Sequence, residues 1–217
     1  MTSISRKTAT LLSAALISLG TAFPMAAQDA ALSAGTPVDG AAASDASDVG
    51  RPYTLETHGD WEIRCLKAPE GQPDPCSMYQ LLKDSDGTEV AEVTVFHIGS
   101  EEVEAAATFT VPLETQLQAQ LTFFIDDANG RRYPFSFCNK VGCFVRAGLK
   151  TEDIDLLKKG ASGKVAIVPY GSNSPVELNV SLSGFTAGYE KVSELNVAAR
   201  EEVEAARAAA EEAQPAE

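Results

Sequence analysis

FSFCNKVGCFVRAGL, Phe135 to Leu149, reads as two strands folded back on one another. Candidate strands Arg132–Phe137 and Phe144–Gly148 leave Cys138 and Cys143 at the ends of a four-residue loop. Residues that close such a hairpin face each other, with Cα atoms about 4.5–5.5 Å apart. A disulfide spans roughly 4.4–6.8 Å. Gly142 is expected to supply the positive φ such a turn often needs. The pair therefore reads as a staple across a hairpin, and a hairpin places the segment in a β-sheet.

The rest of the central chain speaks the same language. WEIRC (Trp61–Cys65) and VELNVSL (Val176–Leu182) alternate apolar and polar residues, the period of half-buried strands. Further candidates are Ser77–Leu82, Glu89–Ile98, Ala107–Val111, Gln120–Ile125 and Lys164–Tyr170. Turn signals separate them: DSDGT at Asp84, DDANG at Asp126 and YGSNSP at Tyr170. The DDANG stretch reads as a hairpin turning on Asn-Gly. One helix is expected over Thr151 to Lys159, with Thr151 as its cap and Gly160 as its stop. Many short strands at close spacing predict an all-β fold, a β-sandwich with one short helix.

The other cysteines, Cys65 and Cys76, flank LKAPEGQPDP, a loop built from three prolines and a glycine. Its ends can meet, so local pairing, Cys65–Cys76 with Cys138–Cys143, is the preferred choice among three connectivities. Each bridge is expected to contribute about 2–3 kcal/mol by loop entropy. Zinc needs four ligands at matched spacings. Ten and four intervening residues, with His58 and His97 as the only histidines, do not supply them. A redox centre wants Cys-x-x-Cys at a helix start, and neither pair has that form. No metal or cofactor is expected.

Outside this core the composition changes. Residues 1–27 carry Arg6 and Lys7, then an apolar run from Leu11 to Leu19, then small residues: the pattern of a secretory signal peptide. Such a chain meets an oxidising compartment, the periplasm or outer envelope, where cysteines pair. Residues 28–51 are Ala, Gly, Ser and Asp, an expected disordered acidic leader. Residues 52–189 form the expected folded domain. Residues 190–217 read as an Ala/Glu-rich helical tail, solvated because its apolar stripe is mostly alanine, against the sharper reading of a helix that docks a partner. Arg207 and Glu211 are spaced to pair along it.

The formal charge is −14, and removal of residues 1–27 would move it to −16. That disfavours generic nucleic-acid or anionic-lipid binding. From Arg131 to Lys164 the balance reverses to +5. Arg131, Arg132, Lys140 and Arg146 form a candidate patch for an anionic partner, against the plainer reading of solvated faces and helix-end charges. No Gly-x-Ser-x-Gly elbow or phosphate-binding glycine motif occurs. His58 and His97 read as surface or rim histidines, and Asp126–Asp127 as a turn.

GDWEIRC, then FIDD, FSFCNKVGCFVRAGL, LLKKGASGKVAIV and VELNVSLSGFTAGYEKV, in that order from Gly59 to Val192, resemble the invasion-associated locus B family. The Phe-x-x-Cys-x-x-x-Gly-Cys stretch is the most specific piece. The resemblance implies an immunoglobulin-like β-sandwich in an exported protein, typical of Alphaproteobacteria, with no catalytic residues to carry over. It also implies that the four cysteines are the family's cysteine pattern and that Trp61 is its leading core aromatic. Function is therefore expected to be non-enzymatic, by binding an envelope or surface macromolecule. The alternatives are a periplasmic enzyme or thiol-redox protein with an unrecognised site, involving His58 or His97, and a host-directed invasion factor. No transmembrane segment is expected; peripheral membrane association stays open.

Overall fold

The computed structural model describes residues 48–212. The expected signal peptide and all of the leader before Asp48 lie outside them.

Eleven strands run in chain order: β1 Pro52–His58, β2 Trp61–Leu66, β3 Cys76–Lys83, β4 Glu89–His97, β5 Ala105–Val111, β6 Leu121–Ile125, β7 Ala128–Tyr133, β8 Phe135–Cys138, β9 Cys143–Leu149, β10 Ser162–Ile167 and β11 Val176–Ser181. Helix α1 covers Thr151–Lys159, and α2 covers Phe185–Glu212. All pairings are antiparallel. The strands form one sheet in the order β7-β6-β10-β11-β3-β4-β5-β9-β8, with β2 also pairing β3 and carrying β1 outside it.

The expected sandwich is realised by folding this sheet on itself until it nearly closes. Phe109 of β5 meets Phe123 of β6 across the interior at 5.5 Å between ring centroids, although the two strands are far apart in the sheet order. Alternation fills the space between: Trp61, Ile63, Met78, Leu82, Val93, Val95, Phe123, Val145, Val165, Leu178 and Val180 all point inward and are buried. Fully burying each large apolar side chain stabilises the fold by about 1.5–3 kcal/mol.

Several local expectations change. β1 was not foreseen: it buries no residue, so it has no apolar face for a sequence to show. The candidate Arg132–Phe137 splits into β7 and β8 at Pro134, which has no N–H for a ladder. The 126–130 hairpin turns on Asp126 and Asp127, at φ 51° and 54°, not on Asn-Gly. The Asp126 carboxylate holds that turn by accepting the N–H groups of Ala161 and Ser162. Gly142 does not adopt a positive φ. A Cβ there would meet the Val111 carbonyl at 2.5 Å, so close approach requires the glycine. Thr151 is the first helical residue rather than the cap. Asp153 caps α1 by accepting the Lys150 N–H at 2.9 Å.

The largest difference is α2. It begins at Phe185, inside the expected domain, and Phe185, Tyr189 and Val192 are buried against the sheet. The Trp61 ring meets Phe185 edge-on at 5.5 Å. The bulk of the helix's apolar stripe lies upstream of the alanine-rich stretch.

Candidate functional site

Both cysteine pairs are bridged as expected. Cys65–Cys76 joins register partners on β2 and β3, and Cys138–Cys143 joins partners on β8 and β9. Cα separations are 4.1 and 4.0 Å. There is no free cysteine among the described residues, and no cluster of three or more His, Cys, Asp or Glu is placed there to hold a metal.

The four cations of the candidate patch go to different places. Successive residues of a strand point to opposite faces, so Arg131 and Arg132 diverge. Arg131 forks onto the buried Asp153 carboxylate, with Nη2 2.6 Å from Oδ1 and Nη1 3.1 Å from Oδ2. Arg132 is exposed on β7, and Lys140 sits at the tip of the β8–β9 hairpin. Arg146 lies 5.5 Å from the Phe137 ring, which stacks on Phe144. Elsewhere in the basic window, Lys164 pairs with Asp127 at 2.7 Å and Glu177 at 3.1 Å.

A different surface has the shape of a binding site. Beyond Val192, α2 runs over the end of β4 and the loop 67–75. A groove of about 580 Å³ opens between them. Its apolar walls come from Pro73, Pro75, Phe96, Ile98, Ala199 and Val203. Phe96 and Ile98 remain 39 % exposed, although both are large and apolar. The Cys65–Cys76 bridge reaches one side through Cys76. Asp74 fixes the loop by accepting the Ala68 N–H at 2.8 Å and the Tyr53 hydroxyl at 2.7 Å. These bonds, the Ala68 N–H foremost, hold its carboxyl below the usual aspartate value.

His97 and Arg200 line the groove, and Glu104 and Tyr189 pack against the histidine. His97 is only 9 % exposed. Its Nδ1 lies 3.4 Å from Arg200 Nη2, and its Nε2 faces Glu104 Oε1 at 3.8 Å. Arg200 Nη1 donates to the Ile98 carbonyl. Tyr189 donates its hydroxyl to Glu104 Oε1 at 3.1 Å and packs edge-on against the His97 ring. Gly99, at φ 65°, leaves the space: a Cβ there would lie 2.8 Å from His97 Cε1 and 3.2 Å from Arg200 Nη2. Burial, aided by Arg200 and opposed by Glu104, lowers the basicity of His97. Burial, then Glu104, pushes the Tyr189 hydroxyl far up. Arg207 lines the outer rim and makes no ion pair among the described residues. The expected Arg207–Glu211 pair is absent. His58 sits elsewhere, at the end of β1, with Nε2 3.4 Å from Glu56 Oε1. Among the described residues, no serine, threonine or cysteine side chain hydrogen-bonds to either histidine ring.

The groove was not legible in advance, because its two walls lie about a hundred residues apart. Its only sequence signal was the pair of large apolar residues around His97.

The family model for invasion associated locus B (IalB) protein matches residues 61–193. The chain belongs to this family. Invasion protein B homologues of Brucella abortus, from strains 2308 and 9-941, are each 27 % identical to it over 164 residues. Those alignments cover 74 % of this chain and 91 % of each homologue. The crystal structure of invasion associated protein B from Bartonella henselae superposes with a TM-score of 0.53 at 21 % identity. It covers 65 % of this chain and 96 % of that one, a likeness of fold. The IalB match ends at residue 193, so it includes the docked first turns of α2 and stops before the stretch that walls the groove.

Proposed function

We propose that this IalB protein is exported, is not an enzyme, and acts by binding another macromolecule of the cell envelope in the groove under α2. The observation that carries this is the exposure of Phe96 and Ile98 in a concave site walled by Pro73, Pro75 and Val203. Apolar clefts with a few placed polar groups are the usual form of recognition sites, and exposed apolar patches mark interaction surfaces. With Arg207 at the rim making no ion pair to a described residue, the groove suits a polypeptide segment that brings an apolar side chain and a neighbouring carboxylate. Export rests on the signal-like residues 1–27 and on two formed disulfides. No helix among the described residues is long and apolar enough to cross a membrane.

The test is in situ photo-crosslinking in native envelopes, with a photoreactive residue at Phe96 or Val203 and a control at Asp86 on a remote turn. A discrete adduct from the groove positions alone supports the reading. Equal labelling from all three positions, or none, sinks it. The names of the Brucella and Bartonella relatives favour a second reading, a role in host-cell invasion. Gene deletion followed by a cell-entry assay separates the two.

A further inference from the structure

We propose that His97 is a proton-sensitive latch that holds the distal part of α2 against the sheet, so that the groove loses its helical wall when the ring is protonated. Its bearing on binding rests on the groove reading above; the latch itself belongs to the unliganded chain.

The latch stands on where α2 is tied down. Deep burial on the helix ends at Val192. Beyond Glu194, Arg200 makes the only hydrogen bonds from helix side chains to the sheet among the described residues. It reaches the carbonyl of Ile98 and the Nδ1 of His97, both at the end of β4. A neutral ring with its proton on Nε2 fits both neighbours: Nδ1 accepts from the Arg200 guanidinium, and Nε2–H faces the Glu104 carboxylate. A second proton has one place to go, Nδ1. It turns the acceptor into a donor and sets a second cation beside the exposed Arg200 guanidinium, a repulsion that solvent on the Arg200 side partly screens. The Glu104 carboxylate opposes this from the other side of the ring, where it already accepts from Tyr189, but burial of the ring outweighs it.

The charges around the ring come from three elements, and Glu104 alone among those that touch it favours the protonated form. Glu104 comes from the loop before β5, and Tyr189, Arg200, Glu204 and Arg207 from α2. The loop 67–75 offers the uncharged Pro73 and Pro75, with Asp74 engaged by Ala68, Tyr53 and Lys67. β5 presents Ala106. Among the described residues, the negative charge set directly against the ring is thus Glu104.

The released helix leaves the ring with an ordinary histidine pKa near 6.5. The docked ring binds its proton less readily, so docking is strongest above that value and weakens as pH falls through it. If the docked ring stays neutral, the ratio of released to docked helix rises about tenfold at pH 5.5, which is the upper limit for one site.

Amide exchange of the full chain, read by mass spectrometry on fragments within 193–207 and corrected for intrinsic rates, tests this between pH 7.5 and 5.5. The expected result is a severalfold loss of protection, up to about tenfold, in the native chain and no pH step in His97→Gln. Native protection that is flat with pH, or an equal step in His97→Gln, overturns the latch. An independent readout does not need that variant to fold. The His97 ring titration, followed by NMR, should move upward in Arg200→Gln; an unmoved midpoint also overturns it. No partner is present in either experiment. A flat exchange profile with groove crosslinks intact removes the latch alone, and a pH step without crosslinks removes the binding reading alone.

Discussion

Replacing Gln80 with leucine should weaken the fold at one seam. β11 meets β3 through a single register pair, Asn179 with Lys83, while β10 and β11 share six. The Gln80 amide, 5 % exposed, completes the junction. Its Nε2 donates to the carbonyls of Ser181 at 3.0 Å and Asp60 at 3.3 Å, and its Oε1 accepts the Ser181 N–H at 2.8 Å. The Trp61 indole donates to the same Ser181 carbonyl at 2.8 Å. Leucine has nearly the same volume, so the loss is almost wholly polar. The Ser181 carbonyl keeps Trp61, whereas the Ser181 N–H is orphaned, at about 1–3 kcal/mol. The weaker Asp60 contact adds about 0.5–1 kcal/mol. A total of about 1.5–4 kcal/mol corresponds to a fall in Tm of roughly 3–16 °C for a body of this size. Urea unfolding followed by the fluorescence of Trp61, the only tryptophan, should show a lower midpoint at unchanged slope. Gln80→Glu extends the test. At neutral pH it sets a carboxylate against two carbonyls, so it should be less stable than the leucine variant. It should recover as acid protonates it, because a carboxyl disfavoured in its charged form gains stability as pH falls. A leucine variant within about 0.5 kcal/mol of the parent, or a glutamate variant as stable as the parent at pH 7, would refute the idea that the amide carries the seam.

Other expectations are as direct. Cys138 is exposed while Cys65 and Cys76 are buried, so limited phosphine reduction with alkylation mapping should label Cys138 and Cys143 first; simultaneous labelling contradicts this. Loop entropy puts the loss at about 2 kcal/mol for the shorter bridge and about 3 kcal/mol for the longer. Gly184 has φ 81°, and a Cβ there would fall 2.0 Å from the His58 carbonyl oxygen, whereas Gly171 has φ 77° with open space around it. Gly171→Ala should cost about 1–2 kcal/mol for its left-handed backbone and Gly184→Ala clearly more, as thermal melts will show. Asp74 has its carboxyl held low by the Ala68 N–H and the Tyr53 hydroxyl. Amide protection in the loop 67–75 should therefore persist above the ordinary aspartate value and fade as pH drops below about 4. In Asp74→Asn it should already be weak at pH 7 and show no such step.

What could be read beforehand was whatever the chain writes locally. β2 and β11 show their period of two because one face is buried and the other wet. The two bridges close short loops, so spacing and loop chemistry suffice. β1 has no buried face and hence no signature. Asp126 and Asp127 adopt left-handed backbone because the neighbouring Ala161 and Ser162 amides reward it, a partner 35 residues away. Gly142 and Gly184 are required by contacts across the fold, which no local pattern records. The helix start was misplaced for a similar reason: Phe185 and Tyr189 find their pocket against Trp61, brought there by the first strands. The groove needed His97, Gly99 and Arg200 in one place, and only the folded chain brings them together.

The Cys65–Cys76 bridge gives the groove a history as well as a shape. One side of the groove rests on residues that are neighbours of this crosslink, so a reduced chain carries the same side chains without the tether that spaces them. On the proposed reading, this surface would be a product of maturation. It would be completed where thiols are oxidised and incomplete before, so that a reduced chain would engage the proposed partner less well.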